Sequence, residues 1–153
     1  GALIALALPV AAASAAGGPA FGLRIFTGNN PKFLVFHSAK CHIEKRYGFE
    51  AVASERGWRL RVRIRPFSGF RPYKLVRGYF NGTYISLDPP GSAGEYASDF
   101  VPPYHIPSGG QISFSNHGSI MGGGFYPMFN QAGTDAVGVA GGLTCHYPKR
   151  KRR

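Results

Sequence analysis

Acidic residues are scarce in this sequence, and charged residues of any kind are few. Aspartate and glutamate number 7 against 18 lysines and arginines, which gives the 153-residue chain a formal net charge of +11. Charged residues make up 16% of the chain, below the roughly 25% that is usual in globular proteins. Hydrophobic residues make up 44%. This balance argues against wholesale disorder and predicts one domain with a packed core.

Motifs of defined catalytic spacing are also missing. The chain contains no G-x-S-x-G or H-E-x-x-H pattern, no phosphate-binding or dinucleotide-binding glycine motif, and no EF-hand loop. No internal repeat of about 20 to 50 residues is visible. We therefore expect a non-catalytic protein rather than an enzyme, with no cofactor and no metal.

Long hydrophobic runs are absent beyond the first residues, although a transmembrane helix needs about 20 apolar residues. Residues 1–15 are uncharged, apolar and rich in small side chains, as are the central and cleavage regions of a secretory signal peptide. A buried helix or a membrane anchor is the alternative. We expect a secreted or cell-surface protein with one β domain over residues 16–148, no transmembrane span in its mature chain and a disordered basic tail over 149–153. The excess of arginine over lysine, with abundant alanine and glycine, favours a bacterial source.

The residues that are present predict an all-β fold. Glycine and proline number 22 and 12, which disfavours long helices, and aromatic residues at 14% favour strands. Apolar and basic residues alternate from Trp58 to Arg65, which predicts a strand with its apolar face buried and its arginines outside. Asn81-Gly82 predicts a tight hairpin that pairs Val76 with Leu87. Seven or eight such strands indicate an antiparallel β-sandwich or a jelly roll.

The chain has two cysteines, Cys41 and Cys145, and each is followed by a histidine. A disulfide between them fits the oxidising compartment that the first residues indicate. Two free thiols, a redox pair, or a zinc site with His42 and His146 are the alternatives. Zinc is disfavoured because adjacent residues of a strand point to opposite faces of the sheet. We expect one disulfide that closes the fold.

Basic residues are concentrated in two places. Residues 56–77 carry eight lysines and arginines and no acid, and 149–153 carry five more, whereas 78–148 carry none. Arginine binds phosphate and carboxylate groups with its planar fork, and tyrosines beside it can stack on bases or sugars. The predicted polyanion-binding residues are Arg59, Arg61, Arg63, Arg65, Arg77, Lys149, Arg150, Lys151, Arg152 and Arg153, with Tyr79 and Tyr84 as stacking residues.

These patterns predict a secreted or cell-envelope module that binds an anionic polymer, a lipid headgroup or a cell-wall component, with nucleic acid as another partner. The competing interpretation is an ordinary solvent-facing strand whose arginines are compensated by Glu44, Glu50 or Glu55. Two other functions stay open: a small secreted hydrolase with His105 or His117 as its base, and a structural subunit of a surface filament that packs through residues 1–15.

Overall fold

The computed structural model describes residues 22–27, 34–44, 48–76, 82–91, 94–98 and 109–149. In these ranges the chain forms twelve strands and no helix. The strands are β1 (Leu23–Thr27), β2 (Leu34–Phe36), β3 (Ser38–Glu44), β4 (Gly48–Glu55), β5 (Trp58–Ile64), β6 (Tyr73–Val76), β7 (Tyr84–Asp88), β8 (Tyr96–Ala97), β9 (Gly109–Phe114), β10 (Ile120–Asn130), β11 (Ala136–Gly141) and β12 (Thr144–His146).

All twelve strands belong to one hydrogen-bonded sheet. Ten of them follow the order β12-β3-β4-β5-β7-β8-β10-β11-β1-β2, and β9 pairs with both β10 and β6. The pairs are antiparallel except that of β12 with β3, which is parallel. Because β2 packs against β4 and β10 against β12, the sheet curls into a half-barrel around one core.

The expected all-β, mainly antiparallel architecture is confirmed, but the two facing sheets of a sandwich or jelly roll are not distinguished. The physical reason is the length of β10, which runs for 11 residues. This strand pairs with β8, β9 and β11, and its register shifts twice, between Ile120 and Gly122 and between Phe125 and Met128. Such irregularities bend a strand. Because β10 is bent and pairs with three strands, it connects into one sheet the strands that a sandwich would place in two sheets.

Strand β5 has the alternation that its sequence predicts. Leu60, Val62 and Ile64 are at most 1% exposed and form part of the core, while the arginines between them lie on the outer face. β5 lies between β4 and β7, so both of its edges are hydrogen-bonded. The strand therefore presents its arginines from the middle of an extended sheet.

The strands that flank the Asn81-Gly82 pair do not bond to each other. β6 pairs with β9, and β7 lies between β5 and β8. Val76 is in register with Gly109 rather than with Leu87, so the predicted hairpin pairing is wrong. Asn81 itself lies outside the described residues.

Aromatic packing explains why β6 joins β9 instead. The buried Tyr73 at the start of β6 stacks on Phe67 and meets Phe114 of β9 edge-on. The backbone N–H of Ser68 donates to the Tyr73 hydroxyl, which donates in turn to the carbonyl of Gly69. Burial of these rings is more favourable than the local preference of Asn-Gly for a two-residue turn. That local preference was the sole basis of the predicted hairpin.

A disulfide joins Cys41 of β3 to Cys145 of β12, and this prediction is confirmed. The two cysteines are 104 residues apart in sequence, and their Cα atoms are 5.3 Å apart. β12 is only three residues long and bonds to a single strand. The disulfide therefore fastens a short edge strand, which backbone hydrogen bonds alone hold weakly, to the edge of β3.

Replacing both cysteines, as Cys41→Ala with Cys145→Ala, should lower the free energy of unfolding by about 2 to 5 kcal/mol, because the bond closes a long loop. Urea unfolding followed by tryptophan fluorescence measures this, since Trp58 packs against the core. The control is the wild type with and without dithiothreitol, which should reproduce the loss. Equal unfolding midpoints for wild type and double variant would contradict a stabilising role.

Candidate anion-binding face

Four arginines project from one side of β5, and we call them the arginine ladder: Arg59, Arg61, Arg63 and Arg65. Successive members are two residues apart, which separates them by about 7 Å along a strand. Arg59 is exposed, whereas the side chains of Arg61 and Arg63 are 31% and 28% exposed and that of Arg65 is 48% exposed. The predicted row of outward cations is therefore present, although its members differ in environment.

Two carboxylates neutralise the last two members of the ladder, Arg63 and Arg65. Glu50 of β4 is in register with Arg63, which donates to its carboxylate from Nη2 at 2.9 Å and from Nε at 3.3 Å. This hydrogen bond raises the pKa of Arg63 above its ordinary value. Arg65 donates from Nη2 to both carboxylate oxygens of Glu44 at 3.2 Å. The compensation that the competing interpretation required is real at these two positions.

The first two members of the ladder, Arg59 and Arg61, have no hydrogen-bonded carboxylate among the described residues, although Arg61 forms a long ion pair with Glu50. Arg61 Nε is buried without a hydrogen-bond partner among the described residues, and it lies 3.9 Å from the nearest oxygen of Glu50. Arg59 is in register with Asp88 of β7 but forms no ion pair with any carboxylate in the described part of the chain. Arg59 and Arg61 are thus the ladder members best placed to bind an external anion.

Three further basic side chains reach the same face from β3 and β12. Alternation along β3 turns Cys41 into the core and Lys40 and His42 outward, and the same holds for His146 beside Cys145. In the parallel pairing, His146 is in register with Lys40, which also faces Val52 of β4. The histidines therefore lie on the outer face while their neighbouring cysteines lie inside, as alternation requires.

An open groove of about 950 Å³ runs across this face from β12 to β5. We call it the Lys40 groove. Its outward lining side chains are Ser38, Lys40, His42, Glu50, Val52, Ser54, Arg59 and His146. Sequence reasoning missed Lys40 and the two histidines as members of an anion site. The alternation of β3 could have placed Lys40 and His42 together, but the pairing of β12 with β3 leaves no local signal.

Of the other predicted binding residues, the structure describes Tyr84 and Lys149. Tyr84 is half-buried, and the guanidinium carbon of Arg63 lies 5.5 Å from the centre of its ring, so one face of that ring already has a cation over it. Lys149 is exposed beyond β12. The residues that lie outside the described ranges are Arg77, Tyr79, Arg150, Lys151, Arg152 and Arg153.

The residues considered for a hydrolase do not converge where they are described. His117 is exposed in the turn between β9 and β10, and Ser115 accepts the backbone N–H groups of His117 and Ser119 as a turn-stabilising side chain. Ser119 in turn accepts the backbone N–H of Cys145. His105 lies outside the described ranges, as do residues 1–15 of the filament interpretation.

Searches for relatives add no identification to this geometry. No family model, curated protein or solved structure matches the chain. Among the described residues, no three histidine, cysteine, aspartate or glutamate side chains are grouped as a metal site. The described part of the chain also has no helix of the length and hydropathy that would cross a membrane. Any functional argument therefore rests on the chemistry of the face itself.

Replacing Glu50 by glutamine should increase binding to anionic supports, because Arg61 and Arg63 then lose the carboxylate that competes with an external anion. The same change should lower the free energy of unfolding by up to about 1 kcal/mol, as for other partly exposed ion pairs. Chromatography on a sulfated resin with a salt gradient measures the first effect, and urea unfolding measures the second.

The control is Glu55→Gln, which removes the same charge. Glu55 is the last residue of β4, and its carboxylate lies 3.9 Å from Arg56, which is outside the ladder. Glu55→Gln should shift elution much less than Glu50→Gln. Equal shifts would show that net charge alone, rather than the ladder, controls retention.

Proposed function

We propose that this protein is a secreted or cell-envelope binding module, without catalytic activity, for anionic polymers or surfaces. The observation that carries the proposal is the uneven compensation of the basic face. Arg59 and Arg61 have no hydrogen-bonded carboxylate among the described residues, whereas Arg63 and Arg65 each have one. A face built only for solubility has no need to leave Arg59 without a carboxylate and Arg61 with only a 3.9 Å ion pair to the Glu50 that Arg63 already binds.

The electrostatic cost of this arrangement supports a ligand. Like charges about 7 Å apart along the strand repel one another. A polymer with a negative charge on each repeating unit would relieve this repulsion at several positions at once. Arginine is suited to this because its fork binds phosphate, sulfate or carboxylate groups through two hydrogen bonds.

The disulfide supports the proposed compartment, because such bonds persist in oxidising surroundings outside the cytoplasm. A cell-wall polymer, a capsular polymer or the headgroups of anionic lipids are the partners that such a compartment offers. Lys149, the first of the five basic residues at 149–153, follows the edge strand β12 by three positions and is exposed. These five residues would add long-range attraction to the short-range contacts of the face.

The test compares two double variants that each remove two positive charges. Arg59→Ser with Arg61→Ser should weaken partitioning onto anionic vesicles by about 30-fold, since each basic residue near an anionic surface contributes about 1 kcal/mol. The control is Arg24→Ser with Lys74→Ser, whose residues are exposed on β1 and β6 in the other half of the sheet. Co-sedimentation with vesicles and elution from a sulfated resin both measure the effect.

The control should keep most of the wild-type affinity, and added salt should reduce the difference between the two variants, because screening weakens exposed charge interactions. Equal loss in both double variants would mean that binding depends on net charge and not on this face. Full retention by the Arg59 and Arg61 variant would overturn the proposal.

A further inference from the structure

Several hydrogen-bond donors line the Lys40 groove beside the arginine ladder. His146 of β12 is in register with Lys40, and His42 lies two residues along β3. Ser38 and Ser54 add hydroxyl groups from β3 and β4, and the side chains of both are exposed. Ammonium, imidazole and hydroxyl groups can all donate to the oxygens of one anion.

The lining of the groove suits an anionic group better than a nucleobase. Among the described lining residues, Val52 is the apolar side chain on the outer face, and Ala39, Cys41 and Ala53 are buried. In the described lining, no phenyl, phenol or indole ring offers a surface for stacking a base. Single-stranded nucleic acids are usually held by such rings. The lining therefore suits a tetrahedral oxyanion, as phosphate and sulfate groups are, better than a nucleobase.

Glu50, which carries the negative charge of the described groove lining, already has a hydrogen-bonded partner. Glu50 is in register with His42 on one side and with Arg63 on the other, and Arg63 donates two hydrogen bonds to its carboxylate. Lys40 forms no ion pair with a carboxylate in the described ranges. The ammonium group of Lys40 is thus available to an external anion, and Arg59 at the groove's other end is available as well.

We propose that the Lys40 groove binds a phosphate or sulfate ester group of an anionic glycan. Lys40 and His146 contact the ester oxygens, and Arg59 connects this site to the ladder, along which the next charged unit of the glycan lies. This assignment rests on the proposed function, because it names the ligand class and the anchoring site of the same face.

The experiment is isothermal titration of the full chain with three hexasaccharides of equal length that carry sulfate, phosphate or only carboxylate groups. Lys40→Gln should weaken binding of the sulfated or the phosphorylated hexasaccharide about tenfold, as expected for loss of a charge-assisted hydrogen bond. Lys74→Gln, which removes an exposed lysine from β6, is the matched control and should change the affinity little. Preference for one ester over the other identifies the group.

The second variant, His146→Ala, should also weaken binding of the ester-bearing hexasaccharide, because the assignment places His146 against the ester oxygens. Circular dichroism confirms that each variant is folded. Equal weakening by Lys40→Gln and Lys74→Gln would overturn the groove assignment, as would wild-type affinity in the His146→Ala variant. Tighter binding of a thymidine hexanucleotide than of any hexasaccharide would overturn the glycan assignment.

The two sets of variants distinguish a wrong groove assignment from a wrong proposed function. If Lys40→Gln binds normally while Arg59→Ser with Arg61→Ser does not, the face binds anions and the groove is not their anchor. If neither variant weakens binding, the anion-binding function itself is wrong.

Discussion

The in-register pairing of β4 with β5 is the constraint on which the rest of this structure depends. It sets the apolar residues of both strands towards one core and sets Glu50 directly opposite Arg63 on the outer face. A shift by one residue would turn the arginines of β5 into the core, where unpaired charges are very costly. The same pairing therefore fixes the fold and decides which arginines receive a carboxylate.

The consequence is a face with two electrostatic halves. Around Arg63 and Arg65, hydrogen-bonded carboxylates make the surface close to an ordinary solvated one. Around Arg59 the positive charge continues onto β3 through Lys40, and the Cys41–Cys145 disulfide holds β12 with its histidine against that strand. Stability and proposed binding thus share one element, since β12 contributes the partly buried, disulfide-bonded Cys145 on one side and an exposed imidazole on the other.

How far the sequence predicts this structure depends on how local the signal is. Alternation from Trp58 to Ile64 identified β5 and its two faces, and the two cysteines identified the disulfide, because each inference needs little beyond local pattern and composition. The Asn81-Gly82 motif led to a wrong strand pairing, because the burial of Tyr73 against Phe114 is a contact between segments far apart in sequence. The Lys40 groove depends on the register of a three-residue parallel strand, which no local pattern encodes.

The most direct test of the account is to locate a bound anion on the sheet. Backbone amide chemical shifts of the isotopically labelled chain, titrated with a sulfated hexasaccharide, report which strands respond. The account predicts that the largest changes cluster on the outer residues of β3, the first half of β5 and β12. Changes centred on β6, β9 and β10 instead, or spread evenly over the surface, would contradict the claim that this face is the binding site.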